Sequence, residues 1–171
     1  MFIYNGKNKK ILSAVKKANK RYIQSQIRVE IKNTEFEMST AESDYLARGF
    51  INFVIETDIF VKPYSRRWSK ALAYFTPNRP KDININTAKL KRSEGSIVGT
   101  FYHEAAHMFD KYDTDHEFGH GSNSSKGKEN TFPYAVGSLV KDIVNGGGIP
   151  TPVTVTPTLW TRFLDFIKDL F

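Results

Sequence analysis

Apolar residues at Ile11, Leu12, Val15 and Ala18 recur at helical spacing among lysines, so residues 8–24 read as a first amphipathic helix. From Gln26 to Lys32 the pattern alternates, with Ile27, Val29 and Ile31 on one side and Arg28, Glu30 and Lys32 on the other, as in a half-buried strand. Ser39-Thr40-Ala41-Glu42 offers capping chemistry for a second helix running to about Ile55. Ile59-Phe60-Val61 and residues 71–75 follow as short extended runs, and Asp82-Ile83-Asn84-Ile85-Asn86 alternates again as a strand. After a short basic loop, Ser93 or Ser96 can cap a helix that runs to about Asp110. Ile97, Val98, Phe101, Tyr102, Ala105, Met108 and Phe109 cover one side of this helix. Ser96, Thr100, His103, His107 and Asp110 share a narrow face opposite.

Residues 113–130 are rich in Asp, Gly, Ser, Asn and Lys and read as an ordered or metal-organised loop, before a core helix that includes residues 135–144. Gly146-Gly147-Gly148 with Pro150, Pro152 and Pro157 makes residues 146–157 an extended linker. Residues 158–171 read as a C-terminal amphipathic helix, with Leu159, Trp160, Phe163, Leu164 and Phe166 on its apolar face. That helix is expected to dock on its own domain or to mediate association. The organisation expected is one domain over residues 1–145, a linker and a terminal helix. The fold class is α+β, a small mixed or antiparallel sheet packed on the histidine-bearing helix with further helices around it.

Composition narrows this picture. A length of 171 residues with 40% hydrophobic content suffices for one substantial core. No run reaches the ~18 apolar residues of a membrane span, and Met1-Phe2-Ile3-Tyr4 is cut short by Asn5-Gly6-Lys7 before a signal-type core develops. The expectation is a soluble chain without a signal peptide, cytoplasmic or delivered by a dedicated secretion route. There is no cysteine, so any metal must be held by nitrogen and oxygen. The net charge of +7 gathers on Lys7, Lys9, Lys10, Lys16, Lys17, Lys20 and Arg21, with Lys89, Lys91 and Arg92 as a second cluster. It favours acidic partners, nucleic acid among them, although the same lysines suit the solvated face of the first helix.

The chemistry sits in His103-Glu104-Ala105-Ala106-His107. Four-residue spacing on a helix stacks two imidazoles one turn apart, able to converge on one tetrahedral metal with Glu104 beside them as base. A random chain of this length shows the pattern on the order of once in a few hundred cases, and most accidental matches lack an amphipathic helix around them. All four histidines fall between positions 103 and 120. His116-Glu117-Phe118-Gly119-His120 repeats the pattern, but its glycines and lack of apolar periodicity make it loop, and its histidines are better placed to complete the first site. Candidates for the third ligand are His120, His116, Asp113 and Glu129. Tyr134, Tyr112 and His116 are candidates to hydrogen-bond an oxyanion, and Asp110 to orient a histidine.

The motif resembles that of zincin-type metallopeptidases. His-Glu-x-x-His followed by Gly119-His120-Gly121, over residues 97–121, is similar to SprT/Spartan-like members, and residues 119–137 resemble bacterial zincin-like domains. The resemblance implies a zincin-like fold, Zn2+ held by His103, His107 and His120, and Glu104 as general base. Glu129 stands where gluzincins place a glutamate ligand on a later helix. Asp113 has the metzincin spacing, with Asp110 where that pattern has a glycine. In zincins the strand nearest the cleft pairs with an extended peptide, a role that residues 82–86 are expected to fill. The function expected is a zinc endopeptidase acting on protein or peptide, as a toxin or effector domain of bacterial or phage origin. The alternatives are a DNA-associated protease of the SprT/Spartan kind and a non-catalytic, metal-stabilised module that binds through its basic face.

Overall fold

The computed structural model describes residues 1–33, 40–110 and 131–146. Within them the fold is mixed α and β, five helices and a small four-stranded mixed sheet. The linker and terminal helix expected over residues 146–171 lie almost wholly outside the described residues, as does the loop over 113–130.

The first helix, α1 (Lys9–Ala18), starts on Asn8, whose side chain accepts from the backbone N–H groups of Lys10 and Ile11, and it buries Ile11, Ala14, Val15 and Ala18. It ends at Asn19, well short of the expected residue 24. The Asn19 side chain turns back to bond both backbone groups of Phe2, accepting at 2.9 Å and donating at 2.7 Å. Asn19 thereby does for Phe2 what a neighbouring strand would do. A new helix, α2 (Arg21–Asn33), follows and replaces the strand expected over residues 26–32. Its buried residues Ile23, Gln24, Ile27, Glu30 and Ile31 follow helical spacing, and Val29 is 54% exposed. Ile27 and Ile31 satisfy both periods, being four apart; Ile23 decides for the helix.

Helix α3 (Thr40–Glu56) matches the second expected helix and buries Leu46, Phe50, Phe53 and Val54. The strands are β1 (Phe2–Ile3), β2 (Ile59–Tyr64), β3 (Ala73–Phe75) and β4 (Asp82–Asn86). Their order is β1-β2-β4-β3, with β1, β2 and β4 parallel and β3 antiparallel to β4. Residues 82–86 therefore form a strand paired on both sides, which has no free edge for a peptide. The edge on that side belongs to β3.

Helix α4 (Glu94–Phe109) is capped by Ser93, whose Oγ accepts from the Ser96 N–H, and carries the histidines. The side assigned to the core is buried throughout, from Ile97 to Phe109. Phe2, Phe50, Phe101 and Tyr102 gather at its centre with ring centroids 5.2–6.2 Å apart, and the buried Tyr102 hydroxyl donates to the Ala18 carbonyl at 2.9 Å. Helix α5 (Phe132–Val144) lies against α4 backbone to backbone. A Cβ on Gly99 would collide with the Gly137 carbonyl oxygen, and one on Gly95 with the Lys141 carbonyl oxygen. The described residues contain no helix long and apolar enough to cross a membrane.

Candidate metal centre and cleft

Three elements enclose a cleft of about 710 Å³. Its floor is the narrow face of α4, where Ser96, Thr100, His103, His107 and Asp110 all line it as their spacing requires, together with Glu104. One wall is β3 with the segment before it, from Lys70 to Phe75. The other is α5, through Tyr134, Gly137, Ser138 and Lys141.

The imidazoles of His103 and His107 are half-buried, with ring centroids 5.0 Å apart and planes at 80°. The Tyr134 ring meets the His103 ring edge-on at 4.6 Å. Beneath the same imidazole lies Gly137, where a Cβ would approach the His103 Cβ to 3.2 Å. Tyr134 and Gly137, one turn apart on α5, thus bound the space the His103 ring can occupy.

Glu104 is 7% exposed. Burial pushes its carboxyl up to about 7, and a backbone hydrogen bond from Phe75 of β3 pulls the other way. Its influence reaches the neighbouring phenols. Tyr134 is raised by burial and by Glu104, and Tyr64 by burial, by Tyr74 and by Glu104. Among the described residues no lysine or arginine pairs with Glu104. Two imidazoles from one helical face, in the same cleft as a buried carboxyl that no described cation compensates, offer nitrogen donors that suit a divalent ion such as zinc.

The described residues alone hold no group of three His, Cys, Asp or Glu able to bind a metal. His120, His116, Asp113 and Glu129, the candidates for a third ligand, lie outside them, as does Tyr112. Of the expected site residues the structure brings His103, Glu104, His107 and Tyr134 together, with Asp110 at one end of the cleft. Sequence reasoning missed the Phe75 N–H, Gly137 and Lys141. Gly137 left one signal, a glycine inside a helical pattern, which costs stability unless close packing needs it.

A further missed residue organises the wall. Asn86, fully buried, accepts from the N–H groups of Arg66 and Ala88 and donates to the carbonyls of Arg66 and Ala71, at 2.9–3.2 Å. It ties the strand β4 to the segment leading into β3. No protein-family model, curated protein or solved structure matches this chain.

Proposed function

We propose that this chain is a zinc-dependent peptidase of the zincin type, with His103 and His107 as metal ligands and Glu104 as general base. The observation that carries the reading is the placement of Glu104, whose carboxyl is buried in the cleft that His103 and His107 also line. Burying a carboxyl costs stability, and a fold that retains one beside two histidines in a cleft has a chemical use for it. We assign the third ligand to His120, with Glu129, Asp113 and His116 as the alternatives.

Zinc held there supplies Lewis acidity, polarising the scissile carbonyl and making a water nucleophilic near neutral pH. The chain's own groups move the protons. Glu104 accepts a proton from the water as its oxygen attacks the carbonyl carbon, and returns it to the departing amine as the C–N bond breaks. A carboxyl with its proton affinity raised toward neutrality suits both transfers. The Phe75 backbone hydrogen bond holds that carboxyl in place. Tyr134, next to His103 and near Glu104, is positioned to donate a hydrogen bond to the oxygen that gains negative charge. The edge of β3 along one wall offers backbone groups to an extended polypeptide.

The deciding experiment compares two glutamates in the zinc-loaded protein. Glu104→Gln is expected to lower peptide hydrolysis by at least about a hundredfold with zinc content unchanged, and Glu117→Gln to leave most activity. Full activity in Glu104→Gln would overturn the assignment.

A further inference from the structure

Charge along the cleft is segregated. Lys141 on α5 faces the stretch of α4 before the histidines, since a Cβ on Gly99 would lie 3.3 Å from the Lys141 Cβ. Gly99 precedes His103 by four residues, about 6 Å along the helix axis. On the same stretch the Arg92 guanidinium donates through Nη1 to the Ser96 carbonyl at 2.8 Å, the Ser96 hydroxyl at 3.1 Å and the Thr100 hydroxyl at 2.6 Å. Its acceptors are neutral. Among the described residues its Nε and Nη2 are buried without a hydrogen-bond partner, and burial lowers its pKa to about 10, which leaves it charged at neutral pH.

Among the described residues no carboxylate pairs with Arg92 or Lys141. Glu94, the acid nearest Arg92 in sequence, accepts instead from Ser13 of α1, and Asp142, which follows Lys141 on α5, forms no ion pair with it. Asp110 lies at the other end of the cleft, seven residues past His103 or about 10 Å along the axis. The β3 wall carries no carboxylate among its lining residues, with Lys70 at its start and Leu72 and Phe75 further along. Lys70 and Lys141 line the cleft, and Arg92 bonds to the lining residues Ser96 and Thr100. Cationic charge beside a half-enclosed cleft attracts an anion more strongly than the same charges would on open surface.

We infer that the Gly99 side of the cleft is a subsite for an acidic side chain, so that the preferred substrates are extended polypeptides with Asp or Glu near the cleaved bond. The inference rests on the peptidase reading and adds a substrate class to it. Extended chain advances about 3.3 Å per residue, so the 6 Å offset places the acidic residue about two positions from the scissile bond.

The test is a C-terminally amidated peptide library offered to the zinc-loaded full chain. Asp and Glu are expected to exceed Lys and Arg by about tenfold at one position, with the preference shrinking at high salt. Lys141→Glu, a solvent-side change on α5, is expected to invert that preference while zinc content and melting temperature stay at the wild-type values. Cleavage without acidic preference, or a preference unmoved by Lys141→Glu, overturns the subsite and leaves the peptidase reading standing. A preference that appears only with free C termini also overturns it, because the site would then read a chain end. Should no peptide be cleaved, the peptidase reading fails and the subsite is judged on binding. The Glu104→Gln protein would then be titrated with amidated acidic and charge-reversed peptides. Acidic binding weakened about tenfold by adding Lys141→Glu sustains the subsite, and equal or absent binding overturns it.

Discussion

At the scale of single residues, the site depends on groups that differ in how far they show in a sequence. His103, Glu104 and His107 declare themselves by spacing, because a helix converts a four-residue interval into one face. Their neighbours act through backbone or through absence. Phe75 contributes an N–H that every residue but proline has, and Gly137 contributes the lack of a Cβ. We expect Gly137→Ala to lower zinc affinity by about tenfold or more, since the new methyl meets the His103 Cβ at 3.2 Å and α5 cannot retreat from Gly99 without losing its packing. Zinc titration against a competing chelator measures this; wild-type affinity would show that the imidazole has room to spare. For the third ligand, His120→Ala is expected to weaken zinc far more than Asp113→Ala, His116→Ala or Glu129→Ala. A larger loss in Glu129→Ala would move the ligand to that residue.

Among elements, α4 was readable from end to end because cap, period and length agree: Ser93 starts it, the apolar face persists for four turns, and Asp110 closes it. The stretch over residues 26–32 misled because Ile27, Val29 and Ile31 satisfy alternation, and only the packing of Ile23 and exposure of Val29 reveal the helical period. The strand β1 has two residues and depends on the Asn19 side chain, so no local pattern announces it. Residues 82–86 show in the sequence as a strand but not as the middle of a sheet. Alternation reports one strand's faces and is silent on its neighbours. The buried Asn86 connects these elements. Asn86→Ala would strand the Arg66 and Ala71 backbone groups it satisfies, and is expected to cost about 2–4 kcal/mol in thermal or denaturant unfolding. Because the same bonds shape the wall from Lys70 to Phe75, a variant that still folds is expected to lose peptide hydrolysis as well. A loss under about 0.5 kcal/mol would mean that water replaces the amide.

For the molecule as a whole, the buried carboxyl of Glu104 couples stability to pH and, under the proposed zinc site, to metal. Its proton affinity in the metal-free fold is raised from 4.5 to about 7, mainly by burial. The folded state therefore holds the proton more tightly than the unfolded chain. The cost of the buried charge is absent below pH 4.5, grows between 4.5 and 7 and is complete above 7. In the metal-free protein Glu104→Gln removes that cost, a gain on the order of 3 kcal/mol at pH 8 and near zero at pH 4.5. Zinc bound as proposed would act in the opposite sense on the wild type. By binding the folded state alone it stabilises by about 2.7 kcal/mol at a hundredfold excess over its dissociation constant, and its charge compensates the carboxylate besides. Chelation is thus expected to lower the wild-type melting temperature at pH 8 by several degrees and to leave Glu104→Gln the more stable of the two stripped proteins. The melting curves of both proteins, with and without chelator, at pH 5 and pH 8, check the coupling in one set. Equal melting temperatures of the stripped proteins at pH 8 would show that the carboxylate is solvated or already compensated. The main support for Glu104 as a poised base would then be gone.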